Sequence, residues 1–158
     1  DTGTTRVGVR ASLLAYSHIG HDGRVGDAVI FSNNGTLAVH VTVGDHAIIG
    51  GLTAVHQFCR IGQFAITGGC SKIVQDVPPF MIADGNPAVV RGINQIGLER
   101  AGFPPEKIKP IKEAFRLIYR AKMNTPQALE AVLEKLGARA ELQAILRFVE
   151  ESERGLIL

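Results

Sequence analysis

"TLAVHVTVGDHAIIGGLTAVHQFCRIG", residues 36–62, decides the fold. Every sixth residue in it is apolar: Leu37, Val43, Ile49, Val55 and Ile61. Period six fits neither a 3.6-residue helix nor hairpins with turns every 8–12 residues. The series extends outward without an insertion, through Val7, Leu13, Ile19, Val25 and Phe31 on one side and Thr67 and Ile73 on the other. Eleven of these twelve positions are apolar, and only Thr67 departs. The next residue is often glycine (Gly8, Gly20, Gly26, Gly44, Gly50, Gly62, Gly68), and the residue four further on is mostly small, as at Ala11, Ala47, Thr53, Cys59 and Ala65. Such a repeat is the signature of a β-solenoid. One large and one small inward residue per short strand fill a three-sided prism, and the glycines are expected to turn the backbone at its corners. Three hexapeptides make one coil of eighteen residues, so the run amounts to about four coils stacked about 4.8 Å apart.

Stacking brings distant residues together. A column taken every eighteen residues from His21 runs through 21, 39, 57 and 75. Within one position of it lie His21 and Asp22, His40, His56 and Gln57, then Gln75 and Asp76. None of these is in the large inward column, and His46 belongs one face over. A single solvent-facing histidine on a solenoid often does nothing. A strip in three consecutive coils points to a site, although imidazoles there serve equally as general base or as metal ligands.

The remaining features set limits. The 158-residue chain has 20% charged residues and a net charge of +2. That is a globular composition with too little positive charge to argue for nucleic acid. Cys59 and Cys70 match no zinc or redox spacing, which fits a reduced cytosolic setting. No apolar run reaches the roughly 18 residues of a membrane span. The opening "DTGTTRVG" begins inside a pattern already under way, so a chain without its first coils is expected. After Gln75 the register stops, and the proline-rich "QDVPPFMIADGNPAVVRG" is read as an extended exit loop. From Ile93 the composition turns helical, with amphipathic segments in "PPEKIKPIKEAFRLIYRAK", "TPQALEAVLEKLG" and "ARAELQAILRFVEESERG". The expected organisation is mainly β plus α: a parallel β-helix over residues 1–92 and a small C-terminal helical domain over 93–158.

The hexapeptide pattern resembles that of the left-handed parallel β-helix. The handedness comes from that resemblance, since the usual crossover rule gives the opposite hand. The words "YSHIGHDGRVG", "TLAVHVTVGDHAIIGG", "LTAVHQFCRIG", "GGCSKIVQDVPPFMIADGNPA" and "LIYRA" resemble the UDP-N-acetylglucosamine O-acyltransferases of lipid A biosynthesis, over essentially the whole chain. The resemblance implies transfer of a 3-hydroxyacyl chain from acyl carrier protein to the 3-hydroxyl of UDP-N-acetylglucosamine. It implies a homotrimer with clefts between subunits in the cytoplasm of a Gram-negative bacterium, and no cofactor or metal. It makes His21 the general base, with Asp22 orienting its ring. The resemblance implies a backbone N–H at Val39 as the oxyanion donor, where the family usually has glycine; valine resists positive φ and is expected to crowd the approach there. His18, His40, His56 and Gln57 line the substrate cleft. Asn94 and Arg100 lie near the nucleotide and its diphosphate. Gly69 marks the end of the acyl groove, and its lack of a side chain implies a long acyl group. Lys107, Lys109, Lys112, Arg116, Arg120 and Lys122 offer a basic face to an acidic carrier. The alternatives are the sister N-acyltransferase of the same pathway, a zinc enzyme of carbonic-anhydrase type on the same solenoid, and a structural trimer without activity.

Overall fold

Each hexapeptide folds as a two-residue strand and a tight corner in a computed structural model that describes residues 1–158. The twelve strands are β1 (Arg6–Val7), β2 (Ser12–Leu13), β3 (His18–Ile19), β4 (Arg24–Val25), β5 (Ile30–Phe31), β6 (Thr36–Leu37), β7 (Thr42–Val43), β8 (Ile48–Ile49), β9 (Ala54–Val55), β10 (Arg60–Ile61), β11 (Ile66–Thr67) and β12 (Lys72–Ile73). They pair in parallel as three faces. The first is β1-β4-β7-β10, the second contains β2-β5-β8-β11, and the third is β3-β6-β9-β12. Register partners such as Leu37 and Val55 lie eighteen residues apart. The protein is therefore a parallel β-solenoid of about four coils.

The large inward residues Val25, Phe31, Leu37, Val43, Ile49, Val55, Ile61 and Ile73 are buried, while Val7 and Leu13 on the first coil are exposed. Full burial of one such side chain contributes about 1.5–3 kcal/mol. Thr67, the polar exception, is 1% exposed and satisfied. Its Oγ1 accepts from the Gly50 N–H at 3.0 Å and meets Thr53 Oγ1 at 3.3 Å, while Thr53 donates to the Gly68 carbonyl at 3.0 Å.

The corners correct one expectation. The left-handed backbone falls not on the glycines but on the non-glycine residues Arg10, Tyr16, Asp22, Ala28, Asn34, His40, His46, Leu52, Phe58, Phe64 and Cys70. The glycines are needed for close approach. A Cβ on Gly20 would sit 2.7 Å from the Ala38 carbonyl carbon and oxygen of the next coil.

The exit segment is a second correction. Rather than an extended loop, β13 (Met81–Gly85) and β14 (Ala88–Ile93) form an antiparallel hairpin, and β13 adds in parallel to β11. The pairs Ile61–Val77 and Ile66–Ile82 are sixteen residues apart. The coil continues two residues short, so a search at eighteen misses it.

Four helices follow: α1 (Gln95–Arg100), α2 (Pro105–Tyr119), α3 (Thr125–Leu136) and α4 (Ala140–Glu150). α3 is capped by Asn124, whose side chain accepts from the Gln127 N–H while Gln127 reaches back to the Asn124 N–H. It ends at Gly137, which has φ 72°. The chain end returns to the solenoid. The buried Asp76 accepts from the Arg60 N–H at 2.7 Å and from Ser152 Oγ at 2.7 Å, and the Ile157 N–H donates to the Asp76 carbonyl. One continuous hydrophobic core runs from Val25 in the solenoid to Ile157 in the tail.

Candidate functional site

Two corners of the prism carry outward chemistry. The corner between the third and first faces holds residues 20–23, 38–41 and 56–59, and is here termed the histidine corner. The corner between the first and second faces holds 26–29, 44–47 and 62–65, and is termed the aspartate corner. At the histidine corner the left-handed positions are Asp22, His40 and Phe58, with φ of 58°, 57° and 64°.

His21 stands 61% exposed with Nδ1 2.8 Å from Asp22 Oδ2, while the Asp22 side chain is only 3% exposed. Asp22 Oδ1 accepts from the Thr2 N–H at 2.6 Å and from the Thr2 hydroxyl. The Thr2 hydroxyl, followed by His21, holds the Asp22 carboxyl well below the usual carboxylate range. Asp22 is therefore an anion that only accepts, so His21 Nδ1 is the protonated nitrogen in this network and Nε2 carries the free lone pair. His40 packs edge-on against His21 with ring centroids 5.4 Å apart, and stacks on Phe58 at 4.8 Å with planes 10° apart. Its Nε2 meets Asp1 Oδ1 at 3.0 Å. Beside it opens a cleft of about 420 Å³ lined by His40, Thr42, Phe58, Arg60, Asp76 and Arg154, among others.

Val39 precedes the left-handed residue and is not itself at positive φ, so the anticipated strain on valine does not arise. Its carbonyl accepts from the Phe58 N–H at 3.2 Å and the neighbouring His40 N–H donates to the His21 carbonyl at 3.1 Å. The Val39 N–H itself has no acceptor in the chain.

His56 and Gln57 also lie on this corner, and His56 Nδ1 is 3.3 Å from the Gln57 carbonyl. His18 is outward on the third face in register with Thr36, and exposed. Gly69 lies on the remaining corner, between the second and third faces, and is exposed. Asn94 is 4% exposed and caps α1: Oδ1 accepts from the Gly97 N–H at 3.0 Å, and Nδ2 donates to the Phe64 carbonyl at 2.9 Å. Its side chain is engaged in the fold. Arg100 is exposed in the last turn of α1. Within one chain the structure thus brings His21, Asp22, Val39, His40, His56 and Gln57 to one corner, and leaves Gly69 on another corner and Asn94 and Arg100 on α1.

Sequence reasoning missed Phe58, Thr2 and Asp1. Phe58 was findable, because 22, 40 and 58 are spaced by eighteen. Thr2 and Asp1 precede the repeat and carry no register signal.

Ligand atoms of Asp1, His21, Asp22 and His40 lie within 4.8 Å of one another, a donor set able to hold a divalent ion. His56 is not part of it. Cys59 and Cys70 are free thiols. Burial pushes Cys59 up to about 11, so at neutral pH it is held as the neutral thiol.

Residues 76–157 match the family model described as UDP N-acetylglucosamine O-acyltransferase, domain 2. The acyl-[acyl-carrier-protein]–UDP-N-acetylglucosamine O-acyltransferase of Thiobacillus denitrificans is 43% identical over 157 residues, covering 99% of this chain and 61% of the relative. The protein of the same name from Burkholderia mallei is 45% identical over 161 residues, with 99% and 62% covered. Among solved structures, LpxA from Acinetobacter baumannii superposes with a TM-score of 0.96 at 39% identity, covering all of this chain and 62% of that one. The chain spans about three fifths of the length of the curated relatives it matches.

Proposed function

The chain belongs to the UDP-N-acetylglucosamine O-acyltransferase family, and on that premise we propose that it transfers a 3-hydroxyacyl group from acyl carrier protein to the 3-hydroxyl of UDP-N-acetylglucosamine. The observation that carries the reading is the pair His21–Asp22: an imidazole whose Nδ1 is held by an ionised carboxylate, with Nε2 free. A sugar hydroxyl is a poor nucleophile at neutral pH and needs a base in reach. His21 Nε2 takes the hydroxyl proton as the oxygen attacks the thioester carbonyl. The oxyanion of the tetrahedral intermediate accepts from the Val39 N–H. The carbon–sulfur bond then breaks, and the departing thiolate takes the proton back from the imidazolium. Ester and thiol are the products, with no redox change.

His18, His40, His56 and Gln57 are assigned to the walls of the substrate cleft. Gly69 lies on another corner and Arg100 on α1, so in this reading they complete the site of a neighbouring copy, with Gly69 at the far end of the acyl groove, while Asn94 holds the start of the helix that carries Arg100. The aliphatic column Ile30, Ile48 and Ile66 on the second face supports self-association, and a homotrimer with three equivalent clefts satisfies these placements. On α2, Lys107 pairs with Glu141 at 3.6 Å and Arg116 with Glu113 at 2.7 Å. Lys109, Lys112, Arg120 and Lys122 keep uncompensated charge for an acidic carrier. No helix is long and apolar enough to cross a membrane. The cytoplasm is the proposed site of action, in keeping with two free thiols.

The test is acyl transfer from 3-hydroxyacyl carrier protein to UDP-N-acetylglucosamine by the chain and by His21→Ala. Loss of roughly 10²–10⁴ in rate is expected; equal rates would remove His21 from the chemistry. The two-histidine, two-aspartate cluster favours one competing reading, a metal-dependent site. Stoichiometric zinc in purified protein, with activity lost on chelation, would establish it over the general-base mechanism.

A further inference from the structure

Each short strand turns one side chain outward, so the three faces of the solenoid differ in chemistry. In register down the second face stand Ser12, Ile30, Ile48 and Ile66. Down the third stand His18, Thr36, Ala54 and Lys72. Down the first stand Arg6, Arg24, Thr42 and Arg60. The residue after each of these last strands is glycine, at Gly8, Gly26, Gly44 and Gly62, and the carboxylates of Asp27 and Asp45 lie against Gly8 and Gly26, where they accept backbone N–H groups.

Arg60 is accounted for by the fold: it pairs with Glu151 at 3.1 Å and lies 4.4 Å over the Phe148 ring. Arg6 and Arg24 are exposed and form no ion pair. The nearest acids along the chain are engaged elsewhere, Asp22 with Thr2 and His21 and Asp27 with the Val9 N–H at 2.9 Å. Yet Arg6 and Arg24 are direct ladder partners, one strand spacing of about 4.8 Å apart. Like charges in that relation destabilise a sheet, so the pair does not serve the fold. Two forked cations at that separation suit the oxygens of one phosphate or diphosphate. Arg24 follows Asp22 by two residues on the coil that carries His21.

We propose that Arg6 and Arg24 form a phosphate-binding subsite next to the histidine corner, which takes a phosphate of one of the two substrates. The inference rests on the acyl-transfer reading above, in which both substrates carry such a group. The nucleotide sugar has a diphosphate, and the thioester arm of an acyl carrier is attached through a phosphodiester. The subsite lies on the solenoid and Arg100 on α1, so the two are distinct elements of the chain.

The test has a binding arm and a kinetic arm. Pyrophosphate and inorganic phosphate are titrated into the whole chain, into R6Q, R24Q and R24K, and into K72Q as a control on the third face. Saturable one-to-one binding is expected, weakened about tenfold in R6Q and R24Q, partly kept in R24K and unchanged in K72Q. Absence of saturable binding, or equal weakening in K72Q, overturns the subsite. In the transfer assay, R24Q raises KM for the nucleotide sugar if its diphosphate is the occupant, and KM for the carrier thioester if the arm is. If neither KM moves, the proposal falls. The melting temperature should hold or rise in R6Q and R24Q, because a like-charge pair is relieved; a clear fall would show that the arginines serve the fold. The binding arm needs no turnover. Pyrophosphate binding without transfer refutes the acyl-transfer reading alone, and transfer without that binding refutes the subsite alone.

Discussion

The histidine corner and the aspartate corner are built on one plan and do different work. Each has a left-handed residue in every coil, and each stacks an imidazole on the phenyl ring one coil further on. His40 lies on Phe58 at 4.8 Å, and His46 lies on Phe64 at 4.6 Å. They part in two places. Before the left-handed residue, the aspartate corner has Asp27 and Asp45, and Asp45 Oδ1 accepts the Asp27 N–H at 2.7 Å. The histidine corner has His21, Val39 and Gln57 there, none of which caps the N–H one coil back, so the Val39 N–H is free to meet a substrate. Beyond the stack, Phe64 continues to Phe80 at 6.1 Å and to Phe103 at 5.2 Å, tying the corner to the helical region. Phe58 is instead 51% exposed beside a cleft. The same backbone thus makes a structural seam where its rings pack on into the helical region, and a reactive edge where a ring is left exposed beside a cleft.

The sharpest way to break this contrast is to remove the carboxylate that orients His21. Asp22→Asn can still accept at Nδ1 but no longer enforces the tautomer, and an expected fall of about 10²-fold or more in kcat follows. Asp45→Asn should leave the rate within about twofold. Linkage provides an independent check. The Asp22 carboxyl is depressed in the folded chain, so its contribution to stability is complete above the unfolded value of about 3.9 and is lost only as pH falls through the folded value. In urea melts, the stability difference between wild type and Asp22→Asn should stay flat from pH 8 to about 4 and shrink below that. A difference that decays between pH 7 and 5 would mean that another group is responsible.

A smaller effect separates the two phenyl rings. Phe64 is half-buried in the aromatic seam, and Phe64→Ala should cost about 2 kcal/mol of stability, below the 3–5 kcal/mol of a fully buried ring. Phe58→Ala should cost under about 1 kcal/mol, yet lower the transfer rate several-fold by freeing the His40 ring. Urea denaturation with linear extrapolation measures both. If Phe58 proves the more costly ring, the division between seam and edge is wrong.

The solenoid was legible because its period is rigid: no insertion disturbs Val7 to Ile73, and each large residue meets its neighbour at eighteen. The histidine strip followed from the same arithmetic, one residue out of phase, since the stacked column is Asp22, His40 and Phe58 rather than 21, 39 and 57. A phenylalanine facing water does not look like part of a polar site, which is why Phe58 escaped. The hairpin β13–β14 was read as a loop because its offset shrinks to sixteen. Asn94 looked like a ligand contact, while the local reason for an Asn there is the start of α1. Gly69 and Arg100 cannot be joined to the site by any argument within one chain.

The smallest predicted effect concerns Val39. Glycine rather than valine at this position would matter if the oxyanion donor needed positive φ. Here the left-handed residue is His40, and the Ala38–Val39 peptide that carries the N–H is flanked by two fixed peptides: Leu37–Ala38, whose N–H donates to the Val55 carbonyl, and Val39–His40, whose N–H donates to His21 and whose carbonyl accepts from Phe58. A side chain at position 39 does not set the direction of an N–H between two peptides held by the ladder. Val39→Gly should therefore change kcat by no more than about threefold, with a stability loss near 1 kcal/mol from the added backbone freedom. A tenfold rise in kcat would show that valine obstructs the carbonyl, and that the ladder alone does not place the donor.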